Sequence, residues 1–222
     1  AGNEWNELVV EDPLEILEDP SIALELSEDP VRLYLKEIGQ IHLLDADSEF
    51  RLAVRIEALV RIEKFEAKLK IAKGEEGYYK ALYSAMIDEM IQTWSALQDG
   101  ARDMGNHEIP DLSLMFAEAQ LLKRQWQADE PSYLRTYLDN GLWGKDQVWE
   151  ALVRQAFTLF MGMYMIPTEM ATNILTKITK NEIMPQSSWL KRLLPGEDLL
   201  KMEVDAIRRR ADESNQTLIR AN

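Results

Sequence analysis

Residues 29–58 read DPVRLYLKEIGQIHLLDADSEFRLAVRIEA, and their reading decides the fold. Asp29 can accept orphan backbone N–H groups as an N-cap, and Pro30 suits the first helical position, where its missing N–H costs nothing. Val31, Leu35 and Ile38 recur at three-to-four spacing, so they share one helical face. Gly39 is placed to close that short helix in a left-handed turn. Leu43 and Leu44 are apolar corner residues that should pin the turn to a core. Asp45 then caps a second, longer helix, with Ser48 where a full capping box would carry Glu or Gln. The stretch therefore predicts helix, tight corner, helix.

Outward from there the helical pattern continues. Phe50, Ala53, Ile56, Val60, Phe65, Leu69 and Ala72 are expected to form the buried stripe of a helix lasting to Lys73, and Gly74 and Gly77 break it. Further helices are expected from Tyr79 to Leu97, from the cap Asp111 to Gln127, from Pro131-Ser132 to Asn140-Gly141, from Asp146 to Tyr164, and from Pro167-Thr168 to Asn181. A short turn capped by Ser187 or Ser188 runs through Leu194, and a last helix runs from Glu197 to Asn222. No strand-like alternation and no internal repeat occurs. The class is all-α, an irregular multi-helix bundle of seven to nine helices with a flexible acidic N-terminal tail. Apolar stripes at Leu52, Ile56 and Leu59 and at Leu200, Val204 and Ile207 predict that the last helix packs along the helix from Asp45.

Charge separates the tail from the rest. The 222 residues carry a net charge of −14, which argues against autonomous binding to nucleic acid. Residues 1–29 hold ten acids and no Lys or Arg, so the remainder carries only −4. Asp12-Pro13 and Asp19-Pro20 interrupt any helix there. There is no cysteine, hence no disulfide and no thiolate chemistry. No stretch is apolar enough over a sufficient length to span a membrane. His42 and His107 are far apart in sequence and show no metal-ligand spacing. No phosphate loop, nucleophile elbow or acid–base constellation is present. These readings give no sign of catalysis, and no enzyme activity, cofactor or metal is expected.

Other residues divide by spacing. Arg208, Arg209 and Arg210 point in different directions around a helix and have acids at pairing distance, so they read as a solvated face. Lys123 and Arg124 receive the same reading. Of the six tryptophans, Trp94, Trp126, Trp143, Trp149 and Trp189 read as packing anchors, whereas Trp5 stands in the tail. Met161, Met163, Met165 and Met170 fit gap-filling in a core, or an adaptable partner surface.

The opening stretch resembles region 1.2 of the bacterial primary sigma factors, the promoter-recognition subunits of RNA polymerase. The match lies in Asp29, Pro30, Val31, Arg32, Tyr34, Leu35, Glu37, Gly39, Leu43, Leu44, Ala53, Arg55, Ile56 and Glu57, fourteen of thirty positions in order and without gaps. Leu218, Ile219, Ala221 and Asn222 resemble the family's L-I-x-A-N at the start of region 2.1. The resemblance implies a division into an acidic linker (1–28), a region 1.2-like helix-turn-helix (29–73), a helical insert in the place of the family's non-conserved region (74–189), and the start of region 2 (190–222). It also implies a fragment of a longer protein, as does an opening residue other than Met. By the same resemblance, Arg32, Tyr34, Leu35 and Lys36 would contact the non-template discriminator strand of an open promoter. There a cation neutralises phosphate and a ring stacks on an unpaired base. On residue type alone Tyr34 and Leu35 would be core and Arg32 a surface ion-pair partner. The implied partners are the largest subunits of the polymerase core, and promoter DNA only within the holoenzyme; the implied location is cytoplasmic, with no membrane. The rival reading is an all-α protein-interaction module without a nucleic-acid role.

Overall fold

Four helices of this protein begin where a side chain is available to accept their first backbone N–H groups. In the computed structural model, which describes residues 44–105, 109–139 and 145–221, Asp45 accepts from Ser48 N at 2.7 Å and opens α1 (Ala46–Glu66). Asp111 accepts from Ser113 N and Leu114 N and opens α3 (Leu112–Arg124). Ser132 caps α4 (Tyr133–Leu138), and Asp146 caps α5 (Gln147–Met165). Each cap satisfies donors that the helix itself cannot.

Two of the longer helices have no such residue. α2 (Tyr78–Asp103) follows Gly77, whose φ of 84° suits glycine, and α6 (Thr168–Asn181) follows Pro167. Both borrow acceptors from α8 (Glu197–Ala221). The Glu197 carboxylate accepts from Tyr79 N at 3.0 Å and Lys80 N at 2.9 Å, and Glu203 accepts from Thr168 N at 2.8 Å. A carboxylate at a helix N-terminus also meets the positive end of the helix dipole. The short α7 (Ser187–Arg192) begins after Gln186, so Ser187 is its first helical residue rather than its cap. The Ser187 hydroxyl instead donates to Asp88 of α2 at 2.7 Å, and Lys191 Nζ lies 2.6 Å from the same carboxylate.

The described residues form eight helices and no strand, so the class is all-α. At the centre lies α5, with eleven of its nineteen residues buried; it packs chiefly on α2 and, on another side, on α3. Met161, Met163, Met165 and Met170 are all buried, so the methionine cluster is core. Gly162 lets α5 approach α2 closely: a Cβ there would meet Met90 Cγ at 3.1 Å. Trp94 and Trp149 are buried anchors, and Trp126 and Trp189 pack partly buried against the core.

α1 and α8 pack along one another; of the residues expected to face this seam, Leu52, Leu200, Val204 and Ile207 are fully buried, and Ile56 and Leu59 are half-buried. They run antiparallel. Glu66 at the end of α1 pairs with Arg208 at 2.8 Å, while Arg55, earlier in α1, feels the charge of Glu213, later in α8.

Three sequence expectations are corrected. The buried face of α1 is Leu52, Val54, Ala58 and Ile62, with Arg51 and Arg55; none of the seven residues of the expected stripe is buried, and Ala53 and Ala72 are exposed. Hydrophobicity alone rotates the face, because the two arginines lie inward. α1 also ends at Glu66 rather than Lys73, and Leu69 and Ile71 pack on the core from the turn that follows. α2 continues through Gly100 to Asp103, since Ala101 beyond the glycine is buried and tertiary packing outweighs the glycine's low helix propensity. The expected acidic tail, the 29–39 helix, Gly39, Leu43, His42, His107, Trp5, Trp143 and the Asn140-Gly141 stop lie outside the described residues.

Candidate nucleic-acid interface

The four residues expected to touch DNA, Arg32, Tyr34, Leu35 and Lys36, lie outside the described residues. The structure describes the second half of their motif, from Leu44 onward. There Asp45 fixes the start of α1, and the N–H of Ser48 holds its carboxyl below the usual carboxylate range.

Beyond the cap, three side chains at four-residue spacing form one stripe on α1: Asp47, Arg51 and Arg55. They bind successive parts of the chain from the end of α3 to α4. Asp47 accepts from Ser132 N at 3.0 Å and from Arg135 Nε at 2.9 Å. Burial pushes its carboxyl up, and these donors outweigh that and hold it below the ordinary value. Arg51 donates Nη1 to Ala128 O at 3.0 Å and Nη2 to Glu130 O. Arg55, only 4% exposed, donates Nε at 3.1 Å and Nη2 at 2.6 Å to Leu122 O, in the last turn of α3. A guanidinium there satisfies an orphan carbonyl at the negative end of the α3 dipole. Burial lowers the pKa of Arg55 below the ordinary arginine value.

The A-x-R-I-E motif can now be read position by position. Ala53 is exposed, Arg55 is buried, and Ile56 and Glu57 are half-buried. Its arginine is buried and holds the Leu122 carbonyl through two nitrogens. Further along α1, Arg61 pairs with Glu89 of α2 at 2.6 Å. Arg51, Arg55 and Arg61 are thus each engaged within the fold. These three arginines therefore do not offer phosphate a row of free cations.

A second polar junction joins α3, α6 and α8. Lys123, expected on a solvated face, is 6% exposed and donates to Ile166 O and, at 3.3 Å, to Glu203. Burial lowers its pKa to about 8, although Glu203 draws it upward. Burial pushes the Glu203 carboxyl up in turn, and Lys123 together with Thr168 N–H outweighs that, so its pKa falls below the ordinary value. Arg124 is exposed, as expected. The signal for Lys123 was in the sequence: the buried positions of α3 are Leu112, Met115, Phe116, Ala119 and Leu122, and their period carries on to 123.

The arginine run makes no patch. Arg208 pairs with Glu66 and Asp205, Arg209 is exposed, and Arg210 is half-buried. Among the described residues, no group of three His, Asp or Glu side chains is placed to hold a metal ion, and no helix is long and apolar enough to cross a membrane.

Comparison with known proteins matches residues 29–61 to the sigma-70 factor region 1.2 family. The chain is 54% identical over 46 residues to RNA polymerase sigma factor SigA of Listeria monocytogenes, covering 21% of this chain and 11% of the relative. It is 49% identical over 43 residues to SigA of a Nostoc strain, covering 19% of this chain and 11% of the relative. SigA of Microcystis aeruginosa matches at 25% identity over 114 residues, 50% of this chain and 26% of the relative. The chain therefore spans between about a tenth and a quarter of the length of these curated relatives. No solved structure matches. Of the family's residues, 44–61 are the corner and the greater part of α1, whose Arg51 and Arg55 bind the end of α3 and the loop after it. On the motif from Asp29 to Glu57 and on these relatives, residues 29–61 are similar to region 1.2 of the sigma-70 factors.

Proposed function

We propose that this chain serves RNA polymerase in transcription initiation, as the region 1.2 part of a promoter-recognition subunit. Residues 29–39 contact the discriminator non-template strand once the promoter is open: Arg32 and Lys36 neutralise phosphate, Tyr34 stacks on an unpaired base, and Leu35 supports the ring or packs inward. The mechanism is recognition and involves no catalysis by this chain. Its partners are the largest subunits of the polymerase core, and promoter DNA within the holoenzyme. Residues 74–189 are the insert of the non-conserved region, and 190–222 lead toward region 2.

The observation that carries this reading is the region 1.2 match over residues 29–61, with DPVR and A-x-R-I-E in register. The state of α1 supports it. A helix whose arginines are all engaged by the fold suits a rigid support for the motif that precedes it in sequence.

The test is Tyr34→Ala in a polymerase holoenzyme containing this chain, with open-complex lifetime measured on a purine-rich and a purine-poor discriminator. A stacked base contributes about 1–3 kcal/mol at comparable single-strand sites, so the purine-rich template should lose more. Equal loss on both templates indicates a folding defect, and unchanged lifetimes on both would refute the contact.

A further inference from the structure

The corner between α6 and α7 combines three features: an exposed apolar side chain, an aromatic ring and a local excess of positive charge. α6 ends at Asn181, and Glu182 takes the left-handed conformation with φ 53°, which turns the chain back toward α7. The turn and the two helices enclose a groove of about 280 Å³, lined chiefly by Lys177, Asn181, Ile183, Met184, Trp189 and Arg192. Ile183 at its rim is 61% exposed. Met184 and Trp189 form a partly buried floor. Lys177 Nζ sits 5.8 Å from the centre of the Trp189 ring, within range of a cation–π contact.

Charge sets this corner apart. The chain as a whole is strongly acidic, yet residues 177–192 hold Lys177, Lys180, Lys191 and Arg192 against a single acid, Glu182. Both charged residues that line the groove are basic, and Glu182 is not part of the lining. Lys191 is committed to Asp88. Neither Lys177 nor Arg192 makes an ion pair among the described residues.

We propose that this groove docks an acidic peptide segment of a partner protein. The segment's carboxylates meet Lys177 and Arg192, and one aliphatic or aromatic side chain covers Ile183 and the Trp189 edge. Two cations flanking an apolar floor complement that chemistry, and a methionine in the floor lets the anchor residue vary. A single-stranded nucleic acid fits less well. One face of the only ring is occupied by Lys177, the other anchors are aliphatic and cannot stack, and two cations are few for a chain of phosphates. The proposal does not rest on the promoter role.

The full chain is titrated, by fluorescence anisotropy, with a labelled peptide that alternates aspartate with leucine and phenylalanine. A lysine-for-aspartate version and a labelled single-stranded oligonucleotide are run beside it. Saturable binding of the acidic peptide is expected, weakening as salt rises. A Lys177→Glu/Arg192→Glu variant should lose about tenfold in affinity, and Ile183→Ser, which leaves the charge alone, should lose severalfold. All three positions are exposed, so circular dichroism should show unchanged helix content. Equal binding of both peptides, binding unaffected by either variant, or tighter binding of the oligonucleotide lost in the same variants would each overturn the proposal.

Discussion

Replacing Glu203 by alanine removes two things at once, and pH separates them. The first is the acceptor for Thr168 N at the start of α6. Losing such a cap costs about 1 kcal/mol, and it does so at any pH where the carboxylate is ionised. The second is the partner of Lys123. With a pKa of about 8 against an ordinary 10.5, the buried ammonium already disfavours folding at neutral pH by about 3 kcal/mol. Without Glu203 the pKa falls further, but the penalty has a ceiling, because the amine can give up its proton. At pH 7 a lysine held neutral costs about 5 kcal/mol relative to the unfolded chain, so the variant gains at most about 1–2 kcal/mol of penalty there.

The sign follows from linkage. The folded pKa lies below the unfolded one, so the penalty is full below the folded value and fades as pH rises toward 10.5. At pH 9 the amine is largely neutral in both proteins, and the lysine term cancels between them. Glu203→Ala should therefore destabilise by about 2–3 kcal/mol at pH 7 and by about 1 kcal/mol at pH 9. Glu203→Gln, which keeps an acceptor for Thr168, should lose about 1–2 kcal/mol at pH 7 and little at pH 9. Urea unfolding followed by circular dichroism at both pH values measures this. A loss that is equal at the two pH values, or larger at pH 9, refutes the assignment of Lys123 as a buried charge held by Glu203.

Arg55→Met should cost about 2–4 kcal/mol in urea unfolding, because it orphans Leu122 O and empties a buried site; Glu57→Ala, two positions on in the same motif, should stay within about 0.5 kcal/mol. Gly162→Ala should destabilise by about 1 kcal/mol or more, since its Cβ would press on Met90, whereas Gly100→Ala meets only the Gln155 side-chain oxygen at 3.4 Å and should be neutral or stabilising; melting temperatures of the two variants should move in opposite directions or differ clearly. The 222-residue chain alone should show no saturable binding to a labelled single-stranded discriminator oligonucleotide at physiological salt, and tight, salt-sensitive binding would reveal a basic surface outside the described residues.

How much of this was legible depended on whether a signal was local. Asp45, Asp111, Ser132 and Asp146 each stand just before a helical pattern, and each caps the helix it announces. The bounds of α6 follow from Pro167-Thr168 and the end of the periodic run at Asn181. The inward face of α1 was misread because a hydrophobic count scores arginine as outward, while Arg51 and Arg55 reach inward to backbone carbonyls. A different clue was present: Asp47, Arg51 and Arg55 repeat at four-residue spacing, so they share a face whatever it meets. Lys123 was misread because a Lys-Arg pair at a helix end looks solvated, although its register continued the apolar stripe. The four residues proposed to touch DNA rest on the motif alone.

The two uncapped helices show where local reading stops. Gly77 and Pro167 offer no side-chain acceptor, so the sequence states a need at the starts of α2 and α6 without naming what meets it. Both needs are met from α8, more than a hundred residues beyond the start of α2, by Glu197 and Glu203. Glu203 also holds Lys123 of α3, and Arg208, further along α8, closes the end of α1 through Glu66. One helix thus completes the termini or buried charges of four others. None of these carboxylates could be replaced by apolar packing without leaving donors bare, so the bundle depends on α8 in a way that its shared core does not convey. The helices between α1 and α8 are therefore not an independent module set onto the chain. The starts of α2 and α6 are satisfied only when α8 lies against them, which ties the packing of both helices to that of α8.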